Sequence, residues 1–249
     1  MIYRKVKRRE TWHVKCTQCH NVLLVSNMNK IGKISLIIFD MDGLMFDTER
    51  IAISAWIKAG KDFGIEIEPE IVIDTIGLNI KGTEKVFKNY FGDSFPFDEV
   101  RKLRDEYAAQ QIEENGIPAK AGLYELLEYL NEKEILKAVA TSTERERAEK
   151  YLFFAKIRQL FDVVVCGDEV SRGKPEPDIF LEVARKLRCK PNECIVLEDS
   201  ENGLRAALKA KMFPILIPDI KRPSKEVEGL IYRELGSLSE VKNLLCEIL

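Results

Sequence analysis

Apolar and polar positions follow two alternating patterns along most of this chain. Five apolar runs have the length of strands, and they cover residues 34–39, 135–141, 161–166, 194–198 and 213–217. Four stretches repeat apolar residues at intervals of three and four, as amphipathic helices do, and they cover residues 122–133, 143–156, 175–188 and 200–211. Strands linked by helices form right-handed βαβ units. The pattern therefore predicts an α/β fold whose parallel sheet is covered on both faces.

One long segment interrupts this alternation between the first two strands. Residues 49–117 carry helical periodicity throughout, and Trp56 shares one face of the first helix with smaller apolar residues. A simple crossover does not need about 70 residues, so the segment predicts a helical cap domain. The cap would be inserted into a core domain of residues 34–48 and 118–249. We expect Trp56 to lie inside the cap, and the cap to cover the carboxyl ends of the strands, where open α/β sheets bind ligands.

Residues 1–33 differ from the rest of the chain in charge and show no clear period. They contain eight Lys or Arg residues and one acid, Glu10, which gives this segment a net charge of +7. Since the whole chain has a net charge of −2, the remaining residues, the body of the protein, carry −9. An acidic body offers no basic surface for nucleic acid, so nucleic acid is not expected as a partner. The segment is predicted to be a disordered N-terminal extension.

The motif CTQCH at residues 16–20 has the spacing of c-type haem attachment, and Cys16, Cys19 and His20 could also form half of a zinc site. Haem attachment needs export, for which no secretory signal is recognisable, and a structural zinc site needs a second pair of ligands. We therefore favour an unstructured tail. The six cysteines are expected as reduced thiols of a cytoplasmic protein, and no apolar run reaches the length of a membrane span.

The first strand leads directly into the acidic sequence FDMDGLMFDTE, residues 39–49. Residues two apart in an extended segment point to the same side, so Asp40 and Asp42 can face one pocket, and Gly43 permits a tight turn after them. Two carboxylates this close repel each other unless a cation lies between them. Mg2+ takes oxygen ligands, and it usually binds through one or two carboxylates together with substrate phosphate.

Three further strand ends supply matching groups. Thr141 and Ser142 offer hydroxyls and backbone N–H groups at a helix start, which is a natural seat for phosphate. Lys174 supplies a cation within GKPEPDIF, and the sequence LEDS adds a second acidic pair, Glu198 and Asp199. Each signal is weak alone, but their order along the chain, each at a strand end, is specific.

In this order of motifs the chain resembles the haloacid dehalogenase superfamily, close to the β-phosphoglucomutase-like group with a helical cap. The resemblance covers about residues 34–220 and implies a Rossmann-like core. It implies that Asp40 is the nucleophile and Asp42 the general acid and base.

The same resemblance implies the binding groups. Thr141, with Ser142 beside it, and Lys174 would hold the phosphate. Asp199 would complete a Mg2+ site with Asp40 and the Asp42 carbonyl, while Glu198 would be a further ligand or a partner of the ligands.

The cap distinguishes two activities of such a core. The mutase carries a histidine twelve residues beyond the nucleophile, where this chain has Ala52, and an arginine where this chain has Lys81. We therefore predict a monomeric, Mg2+-dependent phosphomonoesterase that acts on a small sugar or polyol phosphate through an aspartyl phosphate. The alternatives are a β-phosphoglucomutase-type mutase and a non-catalytic binding protein on the same fold. Gly77, Asn79 and Lys81 form a candidate substrate loop, although a plain interhelical turn fits them nearly as well.

Overall fold

A computed structural model describes residues 4–8, 11–15, 22–24 and 33–248, in two compact units that divide after Lys33. The first unit contains a three-stranded antiparallel sheet of β1 (Arg4–Arg8), β2 (Thr11–Lys15) and β3 (Val22–Leu24). Whether residues 1–33 as a whole form a disordered extension stays a prediction. The motif at residues 16–20 lies outside the described residues, so its haem and zinc interpretations stay untested.

The second unit is built on a six-stranded sheet in which every pair of neighbours is parallel. Its order is β6-β5-β4-β7-β8-β9. The strands are β4 (Leu36–Phe39), β5 (Leu136–Ala140), β6 (Val163–Val165), β7 (Cys194–Glu198), β8 (Phe213–Leu216) and β9 (Arg233–Glu234). The predicted α/β fold is thus confirmed, with one addition: the edge strand β9 has two exposed residues and gives no apolar signal.

The two central strands explain where a ligand site can form. Every residue of β4 and β7 is buried, as expected for strands that helices cover on both faces. From β4 the chain proceeds outward to β5 and β6 on one side, and it then returns to build β7, β8 and β9 on the other. The carboxyl ends of β4 and β7 therefore flank the point where the strand order reverses, which is where such sheets bind ligands.

Ten helices accompany the strands in the described part of the chain. Four of them lie in the inserted segment, between Thr48 and Asn115: α1 (Thr48–Asp62), α2 (Pro69–Thr75), α3 (Ile80–Phe91) and α4 (Phe97–Asn115). The others are α5 (Leu123–Glu132), α6 (Arg145–Phe154), α7 (Asp178–Leu187), α8 (Glu201–Lys209), α9 (Lys225–Glu228) and α10 (Leu238–Ile248). Among the described helices, none has both the length and the apolar character needed to span a membrane.

The inserted helices have an apolar core of their own. Trp56 is 2% exposed and packs against Phe87 and Phe97, with ring centroids 4.4 and 5.9 Å away. Trp56 thus lies inside the cap core, as the sequence predicts. The two connections to the core run side by side, since the Asp47 N–H donates to the Pro118 carbonyl at 2.9 Å. This geometry agrees with a cap on two adjacent linkers, although its status as a separate domain stays a prediction.

Candidate active site

A buried ammonium joins two of the predicted carboxylates at the reversal point of the sheet. Nζ of Lys174 lies 2.5 Å from Oδ1 of Asp40 and 2.5 Å from Oε1 of Glu198, and it also donates to the Ala140 carbonyl at 3.1 Å. Asp40 follows β4, Glu198 ends β7, and Lys174 reaches them from the loop before α7. The structure therefore brings together three residues that are far apart in sequence.

Glycines allow the backbone to approach these carboxylates closely. Gly43 has φ +78°, and a Cβ there would lie 2.3 Å from Oδ2 of Asp199. A Cβ on Gly203 would lie 1.7 Å from Oε1 of Glu198. Both distances are far below van der Waals contact, so neither position can carry a side chain without displacing a carboxylate of the site.

Asp199 extends the group into a candidate metal centre. Carboxylate oxygens of Asp40, Glu198 and Asp199 lie within 4.8 Å of one another, and all three residues are buried. Oδ1 of Asp199 is buried and has no hydrogen-bond partner in the described structure. Three carboxylates with one ammonium, that of Lys174, leave a charge of −2, which a divalent cation would balance. Oxygen donors, an orphaned acceptor and this charge fit Mg2+.

The pKa values in this group reflect its burial and its surplus of negative charge. Burial raises the pKa of Asp40 to about 8, although the ammonium of Lys174 lowers it. Burial and the carboxylates of Glu198 and Asp40 raise the pKa of Asp199 well above its usual value. Burial alone would lower the pKa of Lys174, but Asp40 and Glu198 raise it above its ordinary range, so this ammonium stays charged. An additional cation would favour the ionised form of both aspartates.

Glu198 is engaged at both oxygens. Its Oε1 accepts from Lys174, and its Oε2 accepts from the Ser200 N–H at 3.0 Å and the Ser200 hydroxyl at 2.9 Å. The side chain is fully buried. This arrangement favours a role in positioning Lys174 over a role as a direct metal ligand.

Asp42 is held apart from this group by hydroxyls. Its Oδ1 accepts from Thr48 at 2.7 Å and its Oδ2 accepts from Thr143 at 2.7 Å, while the Thr141 hydroxyl lies 3.5 Å away. Sequence reasoning missed Thr48 and Thr143 as site residues, although Thr48 stands inside the quoted motif FDMDGLMFDTE and Thr143 directly follows Ser142. Two oriented hydroxyls give this carboxylate a fixed direction, which suits a group that must transfer a proton.

The predicted phosphate seat contains one buried residue, Thr141, and one exposed residue, Ser142. Thr141 is 1% exposed, and its Oγ1 accepts from the Thr143 N–H at 3.1 Å. Ser142 is exposed, and its carbonyl packs against Gly167, where a Cβ would lie 2.3 Å from that oxygen. The roles of Thr141, Ser142 and Lys174 toward phosphate stay predictions.

The candidate substrate loop contacts the core at the start of α8. Asn202, near the start of α8, donates to the Gly77 carbonyl at 2.7 Å. Asn79 caps α3, because its side chain accepts from the Gly82 N–H at 2.9 Å, and Lys81 is exposed. Asn79 thus has a structural function in this state, whereas substrate contact by the loop is still a prediction.

Glu49 is a third residue of the candidate site that sequence reasoning did not single out. Burial raises the pKa of its carboxyl to about 7, and the carboxylates of Asp42 and Asp219 add to this effect, whereas Arg104 opposes it. Glu49 lies in the first turn of α1, so the start of the cap places an additional carboxyl near Asp42.

Glu49→Gln is expected to raise the melting temperature of the metal-free protein by a few degrees at pH 8 and by little at pH 5. The folded state holds the Glu49 proton up to about pH 7, against an ordinary pKa of 4.5, so stability falls as pH rises through this window. Thermal melts in EDTA at several pH values test this. Glu146→Gln, at an exposed position of α6, is the control, and an equal effect of Glu49→Gln at pH 5 and pH 8 would contradict the expectation.

The sequence is similar to a known protein family and to phosphatases of other organisms. The family model described as haloacid dehalogenase-like hydrolase matches residues 37–217. A Drosophila melanogaster protein named probable pseudouridine-5′-phosphatase is 32% identical over 223 residues, which cover 86% of this chain and 94% of that protein. Hexitol phosphatase B of Escherichia coli strain K12 is 29% identical over 213 residues, which cover 84% of this chain and 95% of that protein.

A solved structure is similar to this chain in fold as well as in sequence. CbbY from Rhodobacter sphaeroides, crystallised with phosphate, matches with a TM-score of 0.70 and 28% identity, and the match covers 84% of this chain and 96% of that one. Together the comparisons confirm the predicted fold and the prediction that the chain is an enzyme.

Proposed function

The chain belongs to the haloacid dehalogenase-like hydrolase family, and on that premise we propose that it is a Mg2+-dependent phosphomonoesterase. Its substrate would be a small organic phosphate, such as a sugar or polyol phosphate, and its intermediate an aspartyl phosphate. The observation that carries the proposal is the buried contact of Lys174 with Asp40 at 2.5 Å, beside the unpartnered oxygen of Asp199. A carboxylate held by a cation, next to a cation site, suits attack on an anionic phosphoryl group.

Asp40 performs the displacement in this proposal. Its carboxylate attacks phosphorus, the new O–P bond forms, and the bond from phosphorus to the substrate oxygen breaks. Covalent catalysis of this kind divides one difficult displacement into two easier ones. Water then attacks phosphorus, the Asp40–phosphorus bond breaks, and inorganic phosphate leaves.

Asp42 transfers the protons of both steps. It protonates the leaving oxygen of the substrate, and it then takes a proton from the attacking water. The hydroxyls of Thr48 and Thr143, each 2.7 Å from one of its oxygens, keep the carboxyl in one orientation. Asp42 therefore needs no reorientation between the two steps.

Charge on the phosphoryl oxygens is offset by two cations. Lys174 supplies one from the protein, and Glu198 holds it in place. Asp40, Asp199 and the Asp42 carbonyl would hold Mg2+, which when bound would neutralise further charge on these oxygens.

Two relatives support the class of substrate. The names of the Drosophila and Escherichia coli proteins describe phosphatases for pseudouridine 5′-phosphate and for hexitol phosphates. The sequence disfavours the mutase alternative, because Ala52 stands where a mutase is expected to have a histidine, and Lys81 stands where it is expected to have an arginine. A monomeric state and a location in the cytoplasm stay predictions.

A panel of monophosphates tests the proposal. Phosphate release is measured with glucitol 6-phosphate, glucose 6-phosphate, uridine 5′-phosphate and phenyl phosphate, with and without Mg2+. β-Glucose 1-phosphate is included and analysed for glucose 6-phosphate. Release that depends on Mg2+ supports the proposal. Isomerisation without release would show a mutase, and inactivity on the whole panel would refute a general phosphatase.

Mg2+ is expected to raise the melting temperature of the metal-free protein by about 5–10 °C at roughly 100 times its Kd. Ligand linkage contributes about 2.7 kcal/mol at that concentration, and about 1 kcal/mol shifts the melting temperature by roughly 2–4 °C in a domain of this size. Asp199→Asn should lose most of this shift. The same variant without metal should melt no lower than wild type, because it removes one of several repelling charges.

Asp178→Asn is the matched control for the metal experiment. Asp178 is partly exposed, pairs with Arg172 and is not one of the three clustered carboxylates, so its variant should keep the full Mg2+ shift. A wild-type protein without any shift, or a full shift in Asp199→Asn, would show that Mg2+ does not bind through this carboxylate.

A further inference from the structure

Asp219 is a buried carboxylate outside the acidic group of Asp40, Glu198 and Asp199. It belongs to the loop after β8, which starts at the same edge of the sheet, since the Ile217 N–H donates to the Glu198 carbonyl at 2.8 Å. The Asp219 side chain is 5% exposed, and its Oδ2 is buried without a hydrogen-bond partner in the part of the chain that the structure describes. A buried acceptor without a partner costs stability, so stability alone does not account for this carboxylate.

The other oxygen of Asp219 joins both connections between the cap and the core. Its Oδ1 lies 3.0 Å from Nη1 of Arg50, in the first turn of α1, and 2.6 Å from Nζ of Lys120, on the return connection between α4 and α5. The two connections also pair with each other, because the Lys120 N–H donates to the Met45 carbonyl at 2.8 Å. Charge-assisted hydrogen bonds are the stronger ones in proteins. One carboxylate of the core therefore holds the cap at the place where both connections meet the core.

Arg50 relates this contact to the proposed proton donor, Asp42. It stands two residues after Thr48 in the first turn of α1, and the Thr48 hydroxyl donates to Oδ1 of Asp42 at 2.7 Å. Nη1 of Arg50 also lies 2.7 Å from Oδ1 of Asp47, the residue directly before the helix, so the guanidinium bridges the helix start and the core. Residues of one helical turn keep fixed relative positions. A contact that holds Arg50 therefore also holds the Thr48 hydroxyl.

Glu49, which stands between Thr48 and Arg50, gives a second indication that Asp219 lies close to this turn. After burial and the Asp42 carboxylate, the Asp219 carboxylate is the next cause that raises the pKa of Glu49. Charges act on a carboxyl in this way only over short distances in a partly buried site. The first turn of α1 thus lies within electrostatic range of both Asp42 and Asp219.

We propose that Asp219 is a positioning residue for proton transfer: it ties the start of α1 to the core and so keeps the Thr48 hydroxyl where it orients Asp42. This inference rests on the proposed phosphatase activity and deepens it. In the first step the Asp42 carboxyl gives its proton to the leaving oxygen as the bond from that oxygen to phosphorus breaks. Loss of Asp219 should impair this protonation and spare the attack of Asp40 on phosphorus.

Two substrates with different leaving groups separate protonation from attack. An alkyl monophosphate releases a strongly basic oxygen that needs a proton, whereas 4-nitrophenyl phosphate releases a stable phenolate that needs none. In Asp219→Asn, kcat/KM for the alkyl monophosphate that wild type hydrolyses fastest should fall by about 10-fold, a part of the roughly 10²- to 10⁴-fold that a positioned acid contributes. For 4-nitrophenyl phosphate, kcat/KM should be unchanged. This parameter ends with release of the leaving group, so the later use of Asp42 as a base does not affect it.

Thr48→Val tests the route from Asp219 to Asp42. Valine keeps the shape of threonine and removes the hydroxyl, so this variant should show the same loss on the alkyl monophosphate. The double variant of Asp219→Asn and Thr48→Val should lose little more than either single variant, because both substitutions act on one contact. Independent effects would multiply to about 100-fold, and that result would show that Asp219 does not act through Thr48.

Glu149→Gln is the matched control. Glu149 of α6 is also a carboxylate between two basic side chains, with Arg145 and Arg158 each at 2.8 Å, but it lies on neither connection of the cap. Its variant should keep both activities.

Thermal melts on the same preparations check that the variants fold. Arg50 and Lys120 are both partly exposed, so water can solvate their charges in Asp219→Asn, and this variant should fold. Should it not fold, Arg50→Met, at an exposed position, removes only the contact to α1 and should show the same selective loss.

The outcomes separate the inference from the function on which it rests. Equal losses of Asp219→Asn on both substrates would show a purely structural role, and unchanged activity on both would remove Asp219 from the reaction. Either result overturns the proposal. A wild-type enzyme that is inactive on every phosphate would refute the proposed function itself, which is a different result from an active enzyme whose Asp219 variant does not distinguish the two leaving groups.

Discussion

Asp40→Asn is expected to lower the rate of phosphate release by about 10⁴-fold or more, the scale seen when a nucleophile is removed. Asparagine has nearly the same shape but cannot form the O–P bond at an ordinary rate. Its amide also places no charge beside Glu198 and Asp199, so the variant should fold and melt no lower than wild type. Phosphate release and thermal melts on the same preparations measure both effects.

The covalent intermediate gives an independent test of the same residue. Wild type quenched in acid during turnover of a ³²P-labelled substrate should carry label that alkali removes, as an acyl phosphate does, and Asp40→Asn should carry none. Asp178→Asn, outside the site, should label like wild type. Substantial turnover by Asp40→Asn, or unchanged labelling, would show that another group attacks phosphorus.

The sequence predicts the fold and the centre of the site for one physical reason. Central parallel strands are buried on both faces, so they appear as continuous apolar runs, and their carboxyl ends meet at one edge of the sheet. Asp40, Lys174, Glu198 and Asp199 each follow or end such a run or lie in the loop beyond it. Their convergence therefore follows from topology, without knowledge of any side-chain conformation.

The residues that sequence reasoning missed depend on how separate elements approach each other. Thr48 and Thr143 reach Asp42 from the start of α1 and from the loop after β5, and their hydroxyls meet it only through particular rotamers. Such contacts have no local signal, because they are set by the packing of the cap against the core.

Short elements were missed for a different reason. The edge strand β9 has two residues, both exposed, so alternation has too few positions to be recognised. Where a strand is buried throughout, as β7 is, its apolar run is continuous, and the predicted and observed bounds coincide at residues 194–198.

Lys174→Met is expected to abolish activity and also to destabilise the protein strongly at neutral and alkaline pH. Removing one partner of a buried ion pair costs about 3–5 kcal/mol, because the remaining charges are left uncompensated. Here two carboxylates lose their cation, and Glu198 is fully buried. With roughly 2–4 °C per kcal/mol, the melting temperature should fall by about 6–20 °C.

The size of this destabilisation should depend on pH in a definite direction. Burial raises the pKa of Asp40 and Lys174 lowers it, so without the ammonium Asp40 will hold its proton in the folded state at pH values where the unfolded chain has released it. Stability of Lys174→Met should therefore fall as pH rises, and its deficit against wild type should be larger at pH 8 than at pH 5. Thermal melts at both pH values, in EDTA, measure the difference.

Lys137→Met separates the loss of a buried lysine from the loss of this particular cation. Lys137 is 6% exposed, and its Nζ donates to the Ile135 carbonyl at 3.2 Å, at the opposite end of β5 from the acidic group. Its variant should keep kcat, with no added penalty at pH 8. If Lys174→Met behaved in the same way, Lys174 would be only a structural lysine, and the cation that balances Asp40 during phosphoryl transfer would have to come from elsewhere in the site.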